Sequence, residues 1–111
     1  MIYFCRMNHI ERLRDFLRVS PNDCFLKHAL ALEYIKAGDD ENARILFKEN
    51  LEYDKNYIAT YYHLGSLLVR NEQPEAAAAL YRQGMIVAKT AGDMHSFGEL
   101  NSALMLLEEE L

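Results

Sequence analysis

The side chains of this chain that carry reactive or metal-binding chemistry do not stand in spacings that would use it. His28 and His63 are the pair to weigh first. Two imidazoles and a carboxylate can bind zinc. No His-x-x-x-His or Cys-x-x-Cys spacing supports such a site here, and surface or groove-lining histidines are the better reading. Cys5 and Cys24 are too few and too far apart for a disulfide framework or a tetrahedral metal site. They read as reduced thiols of a cytosolic protein. Ser20, Ser66, Ser96 and Ser102 lack the glycines of a nucleophile elbow, and no Gly-rich loop follows a strand to hold phosphate. The expectation is a chain with no catalytic residues, no metal and no cofactor.

Composition points the same way. At 111 residues the chain has the length of one domain, and with half its residues apolar it holds a modest core without staples. A net charge of −5 and a pI near 5.3 disfavour nucleic acid, whose binding depends on Lys and Arg neutralising phosphates. An anionic membrane surface is disfavoured for the same reason. No segment approaches the roughly 18 uninterrupted apolar residues of a membrane span. The leading MIYFCR has no basic residue before its short apolar run and no small-residue cleavage site after it, so no signal sequence is expected there. The expected location is the cytoplasm. Met7 directly precedes the first regular helix pattern, so the native start is either Met7, or Met1 with an apolar tail tucked against the first helix. Residues 1–7 are accordingly expected to be a poorly defined extension.

Punctuation divides the rest into helices and leaves no room for strands. Breaks fall at Ser20-Pro21-Asn22-Asp23, Gly38-Asp39-Asp40, Asn71-Glu72-Gln73-Pro74 and Ala91-Gly92-Asp93. Each combines a helix stop with a cap or a first-turn Pro for the next helix. Helices are predicted at about 8–19, 23–37, 41–52, 59–70, 75–89 and 94–110. The first is amphipathic through Ile10, Leu13, Phe16 and Leu17. The second is different, because Phe25, Leu26, Ala29, Leu30, Leu32, Tyr34 and Ile35 leave it hardly any polar face. Such a helix is buried on two sides or offers one side to a partner. The last carries a stripe of Phe97, Leu100, Leu104, Leu107 and Leu111.

A thirty-four-residue period organises these helices. Cys24–Tyr57 and Ile58–Ala91 align without a gap, pairing Leu30 with Leu64, Ala31 with Gly65, Ala43 with Ala77 and Phe47 with Tyr81. A period of this length marks small units that bury their core by stacking. Extended backwards, the register pairs Leu13 with Phe47 and Tyr81, and Leu17 with Leu51 and Met85. The first helix, in residues 8–23, is then half a repeat, and the helix over 93–110 is a cap that begins a third.

On these residues the chain resembles the tetratricopeptide repeat family. Its pattern of an aromatic, Leu-Gly after two intervening residues and a Tyr after two more is matched by Tyr61-x-x-Leu64-Gly65, with Leu68 in place of the Tyr. In the first repeat Lys27 replaces the aromatic, while Leu30-Ala31 and Tyr34 fit. The second-helix pattern, Ala and an aromatic four later, is met by Ala43/Phe47 and Ala77/Tyr81. The family's Pro between repeats is absent at Lys55 and Lys89, although Pro21 stands in register. The resemblance implies an all-α fold, a right-handed superhelical array of antiparallel helix pairs. It would be an α-solenoid of about two full repeats, 24–57 and 58–91, flanked by single terminal helices within one domain over 8–111.

It also implies a concave groove lined by the first helix of each repeat. Carried over by position, the groove residues are Phe25, His28, Leu32, Ile35 and Lys36 from the first repeat. The second repeat supplies Tyr62, His63, Ser66, Val69 and Arg70, and the last helix adds Phe97 and Leu100. The alternative is that the terminal helices fold over this surface. The subclass that grips a chaperone's C-terminal carboxylate uses Lys and Asn, where this chain has His28, Leu32, His63, Asp93 and Phe97. That clamp is missing. The function expected is a non-catalytic protein-interaction module, an adaptor or assembly factor binding a peptide or helix of another protein. The alternative is homodimer formation through the same apolar surface. A helical-repeat RNA binder and a small metal-dependent enzyme rank below both.

Overall fold

A computed structural model describes the backbone of residues 2–110 and the side chains of residues 9–110. Among the described residues there are six helices and no strand: α1 (Ile2–Val19), α2 (Cys24–Lys36), α3 (Asp40–Tyr53), α4 (Ile58–Arg70), α5 (Pro74–Ala91) and α6 (Met94–Glu110). Helices two to six begin and end within two residues of their predicted bounds. The first does not. It starts at Ile2 instead of about Asn8, because no Gly or Pro interrupts the sequence between Ile2 and Val19. Residues 2–7 continue this helix in the backbone. The side chains on which the Met7 question turns, and Leu111 of the last stripe, lie outside the described residues.

The helices group into two compact units, Met1–Asp54 and Lys55–Leu111. In the first, α2 packs on both α1 and α3. In the second, α5 packs on both α4 and α6, and α4 also meets α6. The division falls three residues before the sequence repeat turns over at Tyr57. The connector after α3 is tied to α4, since the Tyr61 hydroxyl donates to the Lys55 carbonyl at 2.7 Å.

Each unit is built on the same match of small against large. In the first, Ala31 and Ala43 are wholly buried with Phe47, and Leu30 and Tyr34 complete the packing. Asn50 is buried too, and its Nδ2 donates to the Cys24 carbonyl at 3.1 Å, pinning α3 to the start of α2. In the second, Gly65, Ala77 and Tyr81 hold the corresponding places, with Leu64, Leu67 and Leu68 beside them. A Cβ at residue 65 would stand 2.4 Å from Cε1 of Tyr81, so α4 and α5 approach as closely as they do only because residue 65 has no side chain. Gly84 does the same for α5 against both α4 and α6, where a Cβ would meet Cβ of Tyr61 at 2.7 Å and Cδ1 of Leu100 at 3.0 Å. Leu100, Leu104 and Leu107 then bury the predicted stripe of the last helix.

Ion pairs follow the helix contacts. Arg14 of α1 donates to the Tyr34 hydroxyl of α2, with its guanidinium 5.6 Å from the ring centroid. Lys27 and Glu49 link α2 to α3 at 3.8 Å, and Arg82 and Glu108 link α5 to α6 at 2.8 Å.

The turns obey the repeat as closely as the core does. Asp23 and Asp39 cap α2 and α3, accepting from the backbone N–H groups of Leu26 and Asn42 at 3.1 and 3.2 Å. Pro74 opens α5 in the first turn, where its missing N–H costs nothing. After α2, Gly38 takes a left-handed φ of 81°, and the Asp39 N–H reaches back to the Tyr34 carbonyl at 2.8 Å. Thirty-four residues later Glu72 takes a φ of 62°, and the Gln73 N–H reaches the Leu68 carbonyl at 2.8 Å. The geometry is conserved between repeats while the glycine is not. A side chain in the left-handed region carries a steric cost that glycine avoids. Glu72→Gly is therefore expected to stabilise the protein by up to about 1 kcal/mol, the relief being partly offset by a freer unfolded chain. The midpoint of urea denaturation measures this, and an unchanged or lower midpoint would contradict it.

Candidate functional site

The second unit holds a concavity of about 780 Å³. One wall comes from α4. Tyr62, Ser66 and Val69 stand at i, i+4 and i+7, which puts all three on one face. Opposite, α6 contributes Met94, Gly98, Ser102 and Leu106, again at four-residue steps along one face. Tyr81 of α5 forms the floor. Its ring fills the space over Gly65, and its hydroxyl lies 3.3 Å from Ser66 Oγ. The Tyr62 ring tilts over it, with centroids 6.3 Å apart.

A smaller hollow of about 260 Å³ shares Tyr62 and Glu99 with the larger one and adds His63 and Ser96. The Tyr62 and His63 rings meet edge to face at 5.7 Å. At the entrance to α6, Asp93 accepts from the Ser96 backbone N–H at 3.1 Å and from its hydroxyl at 2.7 Å. Those bonds hold the Asp93 carboxyl below the ordinary carboxylate range.

The site is electrostatically one-sided. Among the described residues lining the larger cavity, Glu99 and Glu110 are the carboxylates, and there is no Lys or Arg. His95 lies beside Glu99, with Nε2 3.7 Å from the carboxylate. Burial lowers the pKa of His63, opposed by the Glu99 carboxylate, so the ring is neutral at pH 7. Burial raises the Tyr81 phenol, which stays protonated. The neighbour of the Ser66 hydroxyl is a neutral phenol and not a base, so it does not activate that serine as a nucleophile. Among the described residues, no group of three or more His, Cys, Asp and Glu is placed to hold a metal ion. None of the described helices is long and apolar enough to cross a membrane.

The expected groove residues separate into three sets. Tyr62, Ser66 and Val69 come together on the larger cavity, and His63 joins Tyr62 on the smaller. Arg70 is exposed and Phe97 half-buried, and neither lines these cavities. In the first unit Phe25 is 69% exposed, Leu32 and Ile35 are half-buried, and exposed Lys36 pairs with Glu33 at 3.2 Å. His28 leaves the set altogether. It is buried, with its ring 5.3 Å from that of Phe47, so it belongs to the α2–α3 contact. The first unit's own hollow, about 230 Å³, lies between α1 and α2 and is lined by Leu13, Phe16, Ala29 and Glu33 with His9 and Arg12. Half-buried Cys24 has its thiol pushed up by burial and stays protonated.

Sequence reading missed the α6 wall. It followed the stripe through Phe97 and Leu100, whereas the cavity faces Met94, Gly98 and Leu106. The signal was present: Met94, Met105 and Leu106 are large apolar residues that the stripe leaves over, and all three are exposed.

No family model matches the chain. Solved structures of a tetratricopeptide repeat domain protein from Salinibacter ruber resemble it closely. The solution structure is 38% identical, with a TM-score of 0.78 over 80% of this chain and 90% of that one. The crystal structure, also 38% identical, has a TM-score of 0.75 over 78% and 97%. A TPR repeat-containing protein of Pseudomonas aeruginosa is 28% identical over 99 residues, 89% of this chain and 94% of its own length. A Bordetella parapertussis protein, at 24% identity and a TM-score of 0.79 over 92% and 89%, shares the fold.

His63 carries a prediction about acid stability. Its folded pKa lies below that of an unperturbed imidazole, so on acidification the unfolded chain binds the proton more readily. Stability should fall as pH drops below about 6.5, the unperturbed value, and level off once the folded-state pKa is passed. In His63→Gln that part of the decline should be missing. Urea midpoints of both proteins between pH 5 and 7.5 test this, and parallel profiles would refute it.

Proposed function

The chain belongs to the tetratricopeptide repeat family, and on that premise we propose that it is a non-catalytic interaction module holding a peptide or helix of another protein on the α4–α6 face of its second unit, in an adaptor or assembly role. The observation that carries this reading is the pairing of Tyr62 and Val69. Both are large, both lie on one face of α4 and both stay more than a third exposed over a concavity. Scattered apolar side chains on a surface need no explanation, but apolar side chains converging on a cleft do. Met94 and Leu106 face them from α6, at 58% and 65% exposure. Tyrosine suits such a place, since it offers a broad apolar ring at little cost in rotamer freedom. A cytoplasmic location, with Cys24 as a free thiol, is part of the proposal.

Self-association is the second reading. It is favoured by Met105, which adds to the exposed apolar surface of α6 beside Leu106. The two readings part on experiment. Capture with the wild-type chain should recover a protein that Val69→Asp fails to recover, while helix content by circular dichroism stays the same. Sedimentation at micromolar concentration should show a monomer. Equal recovery by Val69→Asp would count against the site, and a dimer that Val69→Asp dissociates would establish self-association instead.

A further inference from the structure

We infer that the occupant of the larger cavity is an α-helix with an apolar stripe flanked by lysine or arginine, and not an extended segment. The inference rests on the reading of the α4–α6 face as the binding site, and three observations carry it.

The first is length. Lining residues on α6 run from Met94 to Glu110, about 24 Å at 1.5 Å per residue. That is more than four helical turns along the α6 wall, of which the α4 wall from Tyr62 to Val69 faces about two. Gly98 and Ser102 keep the middle of this wall low, and the space beyond Gly98 is open for 4 Å.

The second is the shortage of hydrogen-bonding groups. An extended segment brings a backbone N–H and C=O at every residue, and each one buried without a partner is costly. Among the described lining residues there is no Asn, Gln, Lys or Arg. The Ser66 hydroxyl is already engaged with that of Tyr81. The Tyr62 and Ser102 hydroxyls, His95 and the carboxylates of Glu99 and Glu110 are left, fewer groups than an extended backbone would bring along the length of α6. A helix satisfies its backbone internally and offers only side chains, which is what walls of Tyr, Val, Met and Leu accommodate.

The third is charge. The trough has Glu99 on its flank and Glu110 at its end, with Glu108 and Glu109 adjoining. Glu110 stands where the carbonyl end of α6 adds its own negative potential. Arg82 engages Glu108 from outside the trough. Cations on either side of an apolar stripe complement this pattern, whereas carboxylates there are repelled.

The test is a displayed library of random 16-residue peptides, panned against the full chain and counter-panned against Val69→Asp. Peptides that need Val69 should carry apolar residues at i, i+3 or i+4, and i+7, together with a positive net charge. Circular dichroism should show them gaining helix on binding. Combined Glu99→Gln and Glu110→Gln substitution should weaken them by about two- to fivefold, the scale of exposed ion pairs. Val69-dependent peptides that are acidic, or that bind extended with prolines in their core, would overturn the helical basic occupant and leave the site standing. No Val69-dependent enrichment at all would overturn the occupant and the site together.

Discussion

The close approach of α4 to α5 over Gly65 is the contact on which the second unit depends. Tyr81 lies where any side chain at residue 65 would stand, so ring and glycine are a single packing decision. Interiors are dense enough that such a fit admits little else. The consequence reaches past the core. With its ring fixed, the Tyr81 hydroxyl emerges at the cavity floor against Ser66, and its ring face supports Tyr62. One residue thus joins two helices and shapes the surface where a partner would rest. In the first unit the matching positions hold Ala31 and Phe47, both wholly buried. A methyl group replaces the glycine hydrogen there, and phenylalanine brings no hydroxyl. The first unit repeats the joint without repeating the floor.

The fold was legible in the sequence because repetition amplifies weak signals. A lone Ala or Gly says little about packing, but Ala31/Gly65 and Ala43/Ala77 at a fixed distance mark the same contact twice. Helix ends were legible where turn chemistry is local, as with the caps at Asp23 and Asp39 and the Pro at the start of α5. What escaped was the start of α1, where nothing in the sequence stops the helix.

The candidate site was legible in part, for a related reason. Register placed Tyr62, Ser66 and Val69 on one face, and that face lines the cavity. Register also placed His28 with them, yet this ring is buried against Phe47. Position within a repeat predicts direction from the helix axis, while burial depends on what lies in that direction. The opposite wall shows the limit more clearly. On α6 the strongest stripe, through Leu100, Leu104 and Leu107, is spent on the core. The residues that face the cavity are those left over, and a search for the most regular pattern passes them by.

The helices of each unit pack mainly on their neighbours in sequence, α2 on α1 and α3, α5 on α4 and α6. The connections between them are a few residues long. Chain closure before each contact forms is therefore short, and topologies of this kind fold in microseconds to milliseconds. Because the principal contacts of each unit lie within it, each has the means to nucleate on its own. The same economy limits cooperativity. A unit that opens disturbs few residues far away in sequence, so hydrogen exchange would report local openings, with α6 joined to its unit chiefly through α5.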